Sequence, residues 1–187
     1  MTLCISLLAC TPRSNATLSG NIGTAANRNH FPTDWYGEWA GMLSIWSKAG
    51  LSQEVNMQLS IGPHPDPNTH SWTIGYQTDK GADIRKYTII EADSIGYHYI
   101  VDEQNGILLD SYKLGDKLVS DFEVMGSHLV FTYTFYQESI AVDVTMSGAE
   151  AVSISGDTVV ESDTIPAVSS YAVRVAQGAV LYPSSAD

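Results

Sequence analysis

Aromatic and hydroxylated side chains alternate with other residues along several short segments of the chain. Trp72 and Tyr76 share one parity in the first such segment, and Arg85 and Tyr87 share one in the next. Side chains two residues apart on an extended strand point to the same face. Turned inward around a lumen, these faces would offer apolar rings, hydroxyls and one cation, which is the chemistry of a pocket for an amphipathic organic ligand. The predicted ligand-binding residues are Trp72, Tyr76, Arg85, Tyr87, Tyr97, Tyr99, Tyr133 and Phe135.

Three alternatives to this prediction stay open at the level of sequence. The rings could simply fill the interior, because small barrels are narrow enough to pack solid. A one-residue shift of the segment 95–102 would replace Tyr97 and Tyr99 by His98 and Ile100. Arg85 could form a salt bridge with a nearby acid or bind an anionic ligand head. Alternatively, Arg85 points to solvent and Lys86 points inward.

The sequence contains no complete pattern of a catalytic or metal site. His98 and Asp102 share a parity but are about 13 Å apart along a strand, so an acid–base role for His98 or His128 needs a partner from another strand. The spacing of His64, Asp66 and His70 fits no standard zinc pattern. No nucleophile elbow, phosphate loop or dinucleotide fingerprint occurs. We therefore predict no metal and no cofactor, and we assign no catalytic residue.

After Trp35, apolar and polar residues alternate with a period of two, and this pattern predicts β-strands. In Leu51–Ile61, apolar Val55, Met57 and Leu59 alternate with polar residues, as on a half-buried strand. The other predicted strands are Tyr36–Trp46, Ser71–Gln77, Ile84–Glu91, Ile95–Asp102, Ile107–Leu114, Lys117–Val124, His128–Tyr136 and Ser139–Met146, followed by two or three shorter strands between Ala151 and Tyr182.

Tight turns join these strands and define the fold class. The turn signals are Lys80-Gly81, Gln104-Asn105-Gly106, Leu114-Gly115-Asp116, Met125-Gly126 and Ser147-Gly148, with Asn105-Gly106 predicted as a type I′ hairpin. Consecutive hairpins form a meander, and a meander of about eight to ten strands removes its edges by closing on itself. We predict an all-β protein with an antiparallel up-and-down barrel spanning residues 33–187. An open β-sandwich is the alternative.

Gly37-Glu38-Trp39, which follows Trp35 and Tyr36, resembles the Gly-x-Trp signature of lipocalins and their calycin relatives. The resemblance implies a barrel like those of lipocalins and fatty-acid-binding proteins. It implies that Trp39 plugs the closed end and that an arginine of the last strand packs across its indole. Arg174 is the candidate for this cation–π partner.

The first residues resemble an export signal. Leu7-Leu8-Ala9-Cys10 is similar to the bacterial lipobox, which implies that residues 1–10 are a signal remnant and that Cys10 carries a lipid. Residues 11–32 are rich in Ser, Thr, Asn, Gly and Ala, which predicts a flexible tether. Thr11 is consistent with sorting to the outer membrane. The alternative is a buried N-terminal strand with two incidental cysteines, Cys4 and Cys10.

Composition restricts the function further. The formal charge is −12, from 21 acidic and 9 basic residues, and such a surface repels nucleic acid. The two cysteines both lie in the first ten residues, so the barrel has no disulfide. We predict an exported lipoprotein of the bacterial cell envelope that binds a small hydrophobic or amphipathic ligand, such as a lipid or pigment. An enzyme using the same lumen, a hydrolase or an isomerase, is the alternative, and a purely structural protein with a packed core is a third.

The lipid on Cys10 is tested by replacing its thiol. In a bacterial host, Cys10→Ser is expected to move the protein from the membrane fraction to the soluble periplasm, since serine cannot carry the thioether-linked lipid. Cys4→Ser is the matched control and should stay with the membrane. Membrane association that is unchanged in Cys10→Ser would contradict the prediction.

Overall fold

The computed structural model describes residues 30–184. A single turn of 3-10 helix, Thr33–Trp35, precedes twelve strands. These are β1 Gly37–Ser47, β2 Gly50–Pro63, β3 Thr69–Thr78, β4 Gly81–Glu91, β5 His98–Asp102, β6 Leu108–Leu114, β7 Lys117–Val124, β8 Ser127–Phe135, β9 Ile140–Ser155, β10 Thr158–Val160, β11 Asp163–Ile165 and β12 Val168–Ser184. None of the helical structure in this range is long and apolar enough to cross a membrane.

Ten of these strands close into one antiparallel barrel. Strands β1 to β9 pair in chain order, and β12 pairs with both β9 and β1 to complete the circle. Where β12 closes the barrel, its residue Gln177 lies opposite Val144 of β9 on one side and opposite Ile45 of β1 on the other. The predicted up-and-down barrel is thereby confirmed, and the open sandwich is wrong.

The structure departs from the predicted strands after Met146. Two short strands, β10 and β11, lie in the predicted range, but β12 after them is one strand of 17 residues, and β9 runs for 16 residues, to Ser155. Strand β8 pairs with β9 only as far as Gly148, and β1 pairs with β12 only from Val175 onward. The far half of β9 and the near half of β12 therefore form a two-stranded arm beyond the barrel wall, with the β10–β11 hairpin between them in the chain.

Two turn predictions need correction. Gly148 lies within β9 rather than in a turn, and its missing side chain leaves room for the guanidinium of Arg174, whose Nη2 would lie 2.8 Å from a Cβ there. Between β5 and β6 the positive φ angles fall on Gln104 and Gly106 rather than on Asn105 and Gly106, so the connection is not a two-residue type I′ turn. Two-residue turns with both φ angles positive occur at Met125-Gly126, between β7 and β8, and at Glu161-Ser162, between β10 and β11.

An aromatic cluster closes one end of the barrel. The Phe31 ring lies 5.1 Å from Tyr99 and 4.8 Å from Phe135, both edge-on, and Trp35 lies 5.4 Å from Phe135. Phe31 and the fully buried Pro32, which we assigned to the tether, therefore belong to the barrel core. The predicted signal remnant, Cys10 and the tether up to residue 29 lie outside the described residues.

Trp39 belongs to this closed end, but its predicted contact with Arg174 is wrong. Trp39 is 2% exposed, and its indole N–H donates to the Trp35 carbonyl at 2.9 Å. The residue opposite it on β12 is Pro183, nine positions from Arg174, or about 30 Å along a strand. Arg174 is exposed on the arm because β12 begins well before the barrel wall. A cation–π contact at this end comes instead from Lys113, whose Nζ lies 5.4 Å from the Phe31 ring.

Truncation of Trp39 tests the importance of the closed end. Trp39→Ala is expected to lower the free energy of unfolding by about 3–5 kcal/mol, because it leaves a large cavity and an unpaired Trp35 carbonyl. Trp46→Ala, at an indole that is 44% exposed on the outer wall, should cost less than about 1 kcal/mol. Urea unfolding followed by far-ultraviolet circular dichroism measures both, and equal costs would contradict the prediction.

Candidate ligand-binding cavity

A cavity of about 490 Å³ occupies the part of the barrel away from the aromatic end. All ten barrel strands contribute to its wall, since inward side chains recur at every second residue. An eight-stranded barrel is just filled by its own side chains, and ten strands enclose a wider interior. The wall consists of Leu43, Ile45, Gln53, Val55, Trp72, Ile74, Tyr76, Thr78, Asp83, Arg85, Tyr87, Val101, Glu103, Leu109, Ser120, Phe122, Leu129, Phe131, Tyr133, Val144, Met146 and Gln177.

The predicted ligand-binding residues divide into three groups. Five of the eight line the cavity: Trp72, Tyr76, Arg85, Tyr87 and Tyr133. Tyr99 and Phe135 point inward but are buried in the closed end below it.

The third group is Tyr97 alone, which lies outside the barrel. Its ring is 44% exposed and packs 5.3 Å from Tyr112. The Asp93 carboxylate accepts the backbone N–H groups of Tyr97 and His98, which holds the segment before β5 as a loop. Strand alternation therefore begins only at His98, and Tyr97 cannot be assigned a side by parity.

The deep part of the cavity is apolar and aromatic. Trp72 and Tyr133 meet there edge to face at 5.2 Å. Nearer the turn between β7 and β8, Phe122 stacks with Phe131 at 6.3 Å. Burial raises the pKa of the Tyr133 phenol, so this hydroxyl stays neutral. Ser120 also reaches the wall, but its hydroxyl is already bonded to that of Ser111 at 2.6 Å.

The charged groups of the wall gather at the mouth, on the side formed by β4 and the end of β5. Arg85 Nη2 and Nε donate to one oxygen of Asp83 at 2.9 and 3.2 Å, and its guanidinium carbon lies 5.0 Å from the centre of the Tyr76 ring. The side chains of Arg85 and Asp83 are about half exposed, at 47% and 50%, which places them at the opening. Glu103 completes this side, next to Tyr87.

The charges at the mouth influence one another. Burial is the largest single influence on the pKa of the Arg85 guanidinium and lowers it, but the hydrogen bonds to Asp83 and the nearby Tyr76, Asp83 and Tyr87 side chains together hold this pKa above its ordinary value. Burial also raises the pKa of the Tyr76 phenol. At Tyr87, burial and then the charge of Glu103 raise the phenol pKa. Both phenols therefore remain neutral hydrogen-bonding groups.

Sequence reasoning missed the two acids of the mouth, although the signal was available. Asp83 has the parity of Arg85, and Glu103 has the parity of Val101. Extending each predicted strand by one residue, to Asp83 and to Glu103, would have placed both carboxylates inward.

None of the histidines in the described range lines the cavity. His98 bonds to Asp110 at 2.7 Å and stacks on Tyr112, on the outer wall, and His128 bonds to Asp121, also outside. His70 is buried at the closed end, where it bonds to the Tyr36 hydroxyl at 2.6 Å and to Glu91 at 2.9 Å. Among residues 30–184, no three His, Cys, Asp or Glu side chains are grouped so as to hold a metal ion.

A closed antiparallel barrel with one plugged end and a ligand-sized cavity defines a lipocalin-like fold. No family model matches the chain, and no curated protein sequence matches it. Among solved structures it is similar to the S-type phycobiliprotein lyase CPES from Guillardia theta, with a TM-score of 0.52 and 9% identity over 81% of this chain and 89% of that chain. This neighbour is itself a barrel of the lipocalin-like fold. Because the sequence identity is so low, the similarity supports the fold assignment and nothing more.

Tyr99 gives the barrel a pH dependence that can be measured. Burial, and then the charges of Glu91 and Asp93, raise the pKa of Tyr99 from 10.0 to about 12. Between these values the unfolded chain releases a proton that the folded chain keeps, so stability falls as the pH rises through this window.

Tyr99→Phe should therefore show a smaller loss of unfolding free energy between pH 10 and about 12 than the parent. Tyr182→Phe, at a phenol that is 59% exposed, is the control and should follow the parent curve. Urea unfolding at a series of pH values provides the measurement. Parallel curves for Tyr99→Phe and the parent would refute the prediction.

Proposed function

We propose that this barrel binds a small amphipathic organic molecule in its cavity. The observation that carries the proposal is the cavity of about 490 Å³, apolar in its depth and polar at its mouth. Sites for small molecules typically enclose about 300–1,000 Å³, with mainly apolar walls and a few polar groups that orient the ligand. The volume and the arrangement of the wall both fit this description.

A purely structural barrel is the less favoured reading. Such a protein would fill its interior with side chains, and any remaining void would be no larger than a water, whose share of liquid volume is about 30 Å³. The cavity is many times larger. Its aromatic rings pack against one another at the wall and leave the centre open.

An enzyme using the same cavity is the second candidate. It is favoured by the fold neighbour, which is named as a lyase, and by the carboxylates of Asp83 and Glu103 in the wall. Binding is preferred because these acids stand at the exposed mouth, while the deep wall offers no histidine among the described residues. Turnover of a co-purified ligand would favour the enzyme.

We further propose that the chain is an exported lipoprotein of the bacterial envelope, anchored through Cys10 and sorted to the outer membrane. The support is the Leu-Leu-Ala-Cys sequence and the polar segment that follows it. The described chain begins beside the closed end, where Phe31 packs. An anchor preceding it would attach at the end opposite the mouth and leave the mouth free for ligand exchange.

Ligand binding is tested with N-phenyl-1-naphthylamine, a neutral probe whose emission rises in apolar sites. The parent should bind it, and Leu129→Trp should lower the affinity by roughly tenfold or more, because the indole fills part of the cavity. Leu108→Trp is the matched control, since Leu108 is 61% exposed on the outer wall. Circular dichroism checks that both variants are folded.

A parent that leaves the probe dark, or a Leu129→Trp variant that binds as well as the parent, would overturn the proposal. Native mass spectrometry of the protein purified from its own host then identifies the natural ligand. A mass increment that disappears in Leu129→Trp but persists in Leu108→Trp would assign that ligand to the cavity.

A further inference from the structure

The mouth of the cavity carries an excess of negative charge. Apart from tyrosines, its ionisable lining residues within the described chain are Asp83, Arg85 and Glu103, two carboxylates against one guanidinium. The net charge of the whole chain has the same sign, with a formal value of −12. A negative opening with apolar walls focuses its field outward and raises the local concentration of cations.

The one cation of this group is already engaged. Arg85 directs Nε and Nη2 to the same Asp83 oxygen, and one face of its guanidinium lies over the Tyr76 ring. An anionic ligand head could use only the guanidinium donors that do not face Asp83. The Asp83 carboxylate would then stand as a like charge close to the ligand. Arg85 therefore neutralises Asp83 and is poorly available as an anchor for a ligand carboxylate.

Glu103 is the carboxylate without a cationic partner in this group. It accepts a hydrogen bond from the Asn105 side chain at 3.2 Å, which leaves acceptor capacity on its oxygens. It is partly buried, and its charge is felt at Tyr87, whose phenol pKa it helps to raise. Glu103 thus offers carboxylate oxygens as acceptors on the β4–β5 side of the mouth, whereas the Tyr87 phenol is within hydrogen-bonding reach of Arg85.

We propose that the mouth selects ligands whose polar end is a cation, such as a primary ammonium, and that Glu103 is the residue that determines this selectivity. An ammonium group has three N–H donors and no acceptor, which matches the remaining acceptor capacity of the Glu103 carboxylate. The apolar remainder of the ligand then lies against Trp72 and Phe131. This inference rests on the proposed function, because it assumes that the cavity is the binding site.

The experiment uses three probes with one tail and different heads: decylamine, decanol and decanoate. Each displaces N-phenyl-1-naphthylamine from the full-length chain near neutral pH and low salt. The amine is expected to bind roughly tenfold more tightly than decanoate, with decanol between them, as for a partly solvated charge. In Glu103→Gln, the amine should weaken and decanoate should strengthen, while decanol stays unchanged.

Glu54→Gln is the matched control. Glu54 is exposed on the outer wall, where it accepts a hydrogen bond from Ser44, so its replacement changes the net charge equally but leaves the mouth intact. If Glu54→Gln reduces the preference as much as Glu103→Gln, the selectivity comes from total charge and the assignment to Glu103 is overturned. Decanoate binding as tightly as the amine overturns the inference while leaving the binding proposal intact. A parent protein that releases the neutral probe to none of the three overturns the proposed use of the cavity itself.

Discussion

The pairing of β1 with β12 is the constraint on which the rest of the structure depends. Hydrogen bonds along this pair close ten strands into a circle, so the sheet has no free edge within the wall. The circumference then sets the interior width, and alternation directs every second side chain into it. The interior is too wide to be filled along its whole length. The cavity is therefore a consequence of strand number.

The closed end turns this wide interior into a pocket. Phe31, Trp35, Tyr99 and Phe135 meet edge to face, an arrangement that suits the charge distribution of aromatic rings. The buried Trp39 ties the 3-10 helix to β1 through its bond to the Trp35 carbonyl. With this end filled, the cavity opens towards the opposite end, where the charged side chains of the wall, Asp83, Arg85 and Glu103, are found. The cavity is thus apolar in its depth and polar at its opening because one end of the barrel is filled and the other is open.

Much of the wall was predictable from residue alternation. Trp72, Tyr76 and Tyr133 were placed correctly because they lie inside regular strands whose parity is set by apolar neighbours. Prediction failed where regular pairing ends. The Asp93 side chain interrupts the extended conformation before Tyr97, and the length of β12 moves Arg174 onto the arm. In both cases hydrogen bonds outside the local pattern decide the outcome, and a period of two residues carries no information about them.

The sequence by itself determined the strand-rich fold, most of the turns and the face to which most side chains point, because these follow from local conformational preferences and alternation. It did not determine how far each strand extends beyond the wall or the depth at which an inward side chain lies. Depth depends on the stagger between neighbouring strands, which only the closed sheet fixes. This stagger places Tyr99 and Phe135 in the plug and Tyr87 at the cavity, although all three point inward. It also joins Asp83, Arg85 and Glu103 at one opening, where their mutual charges act.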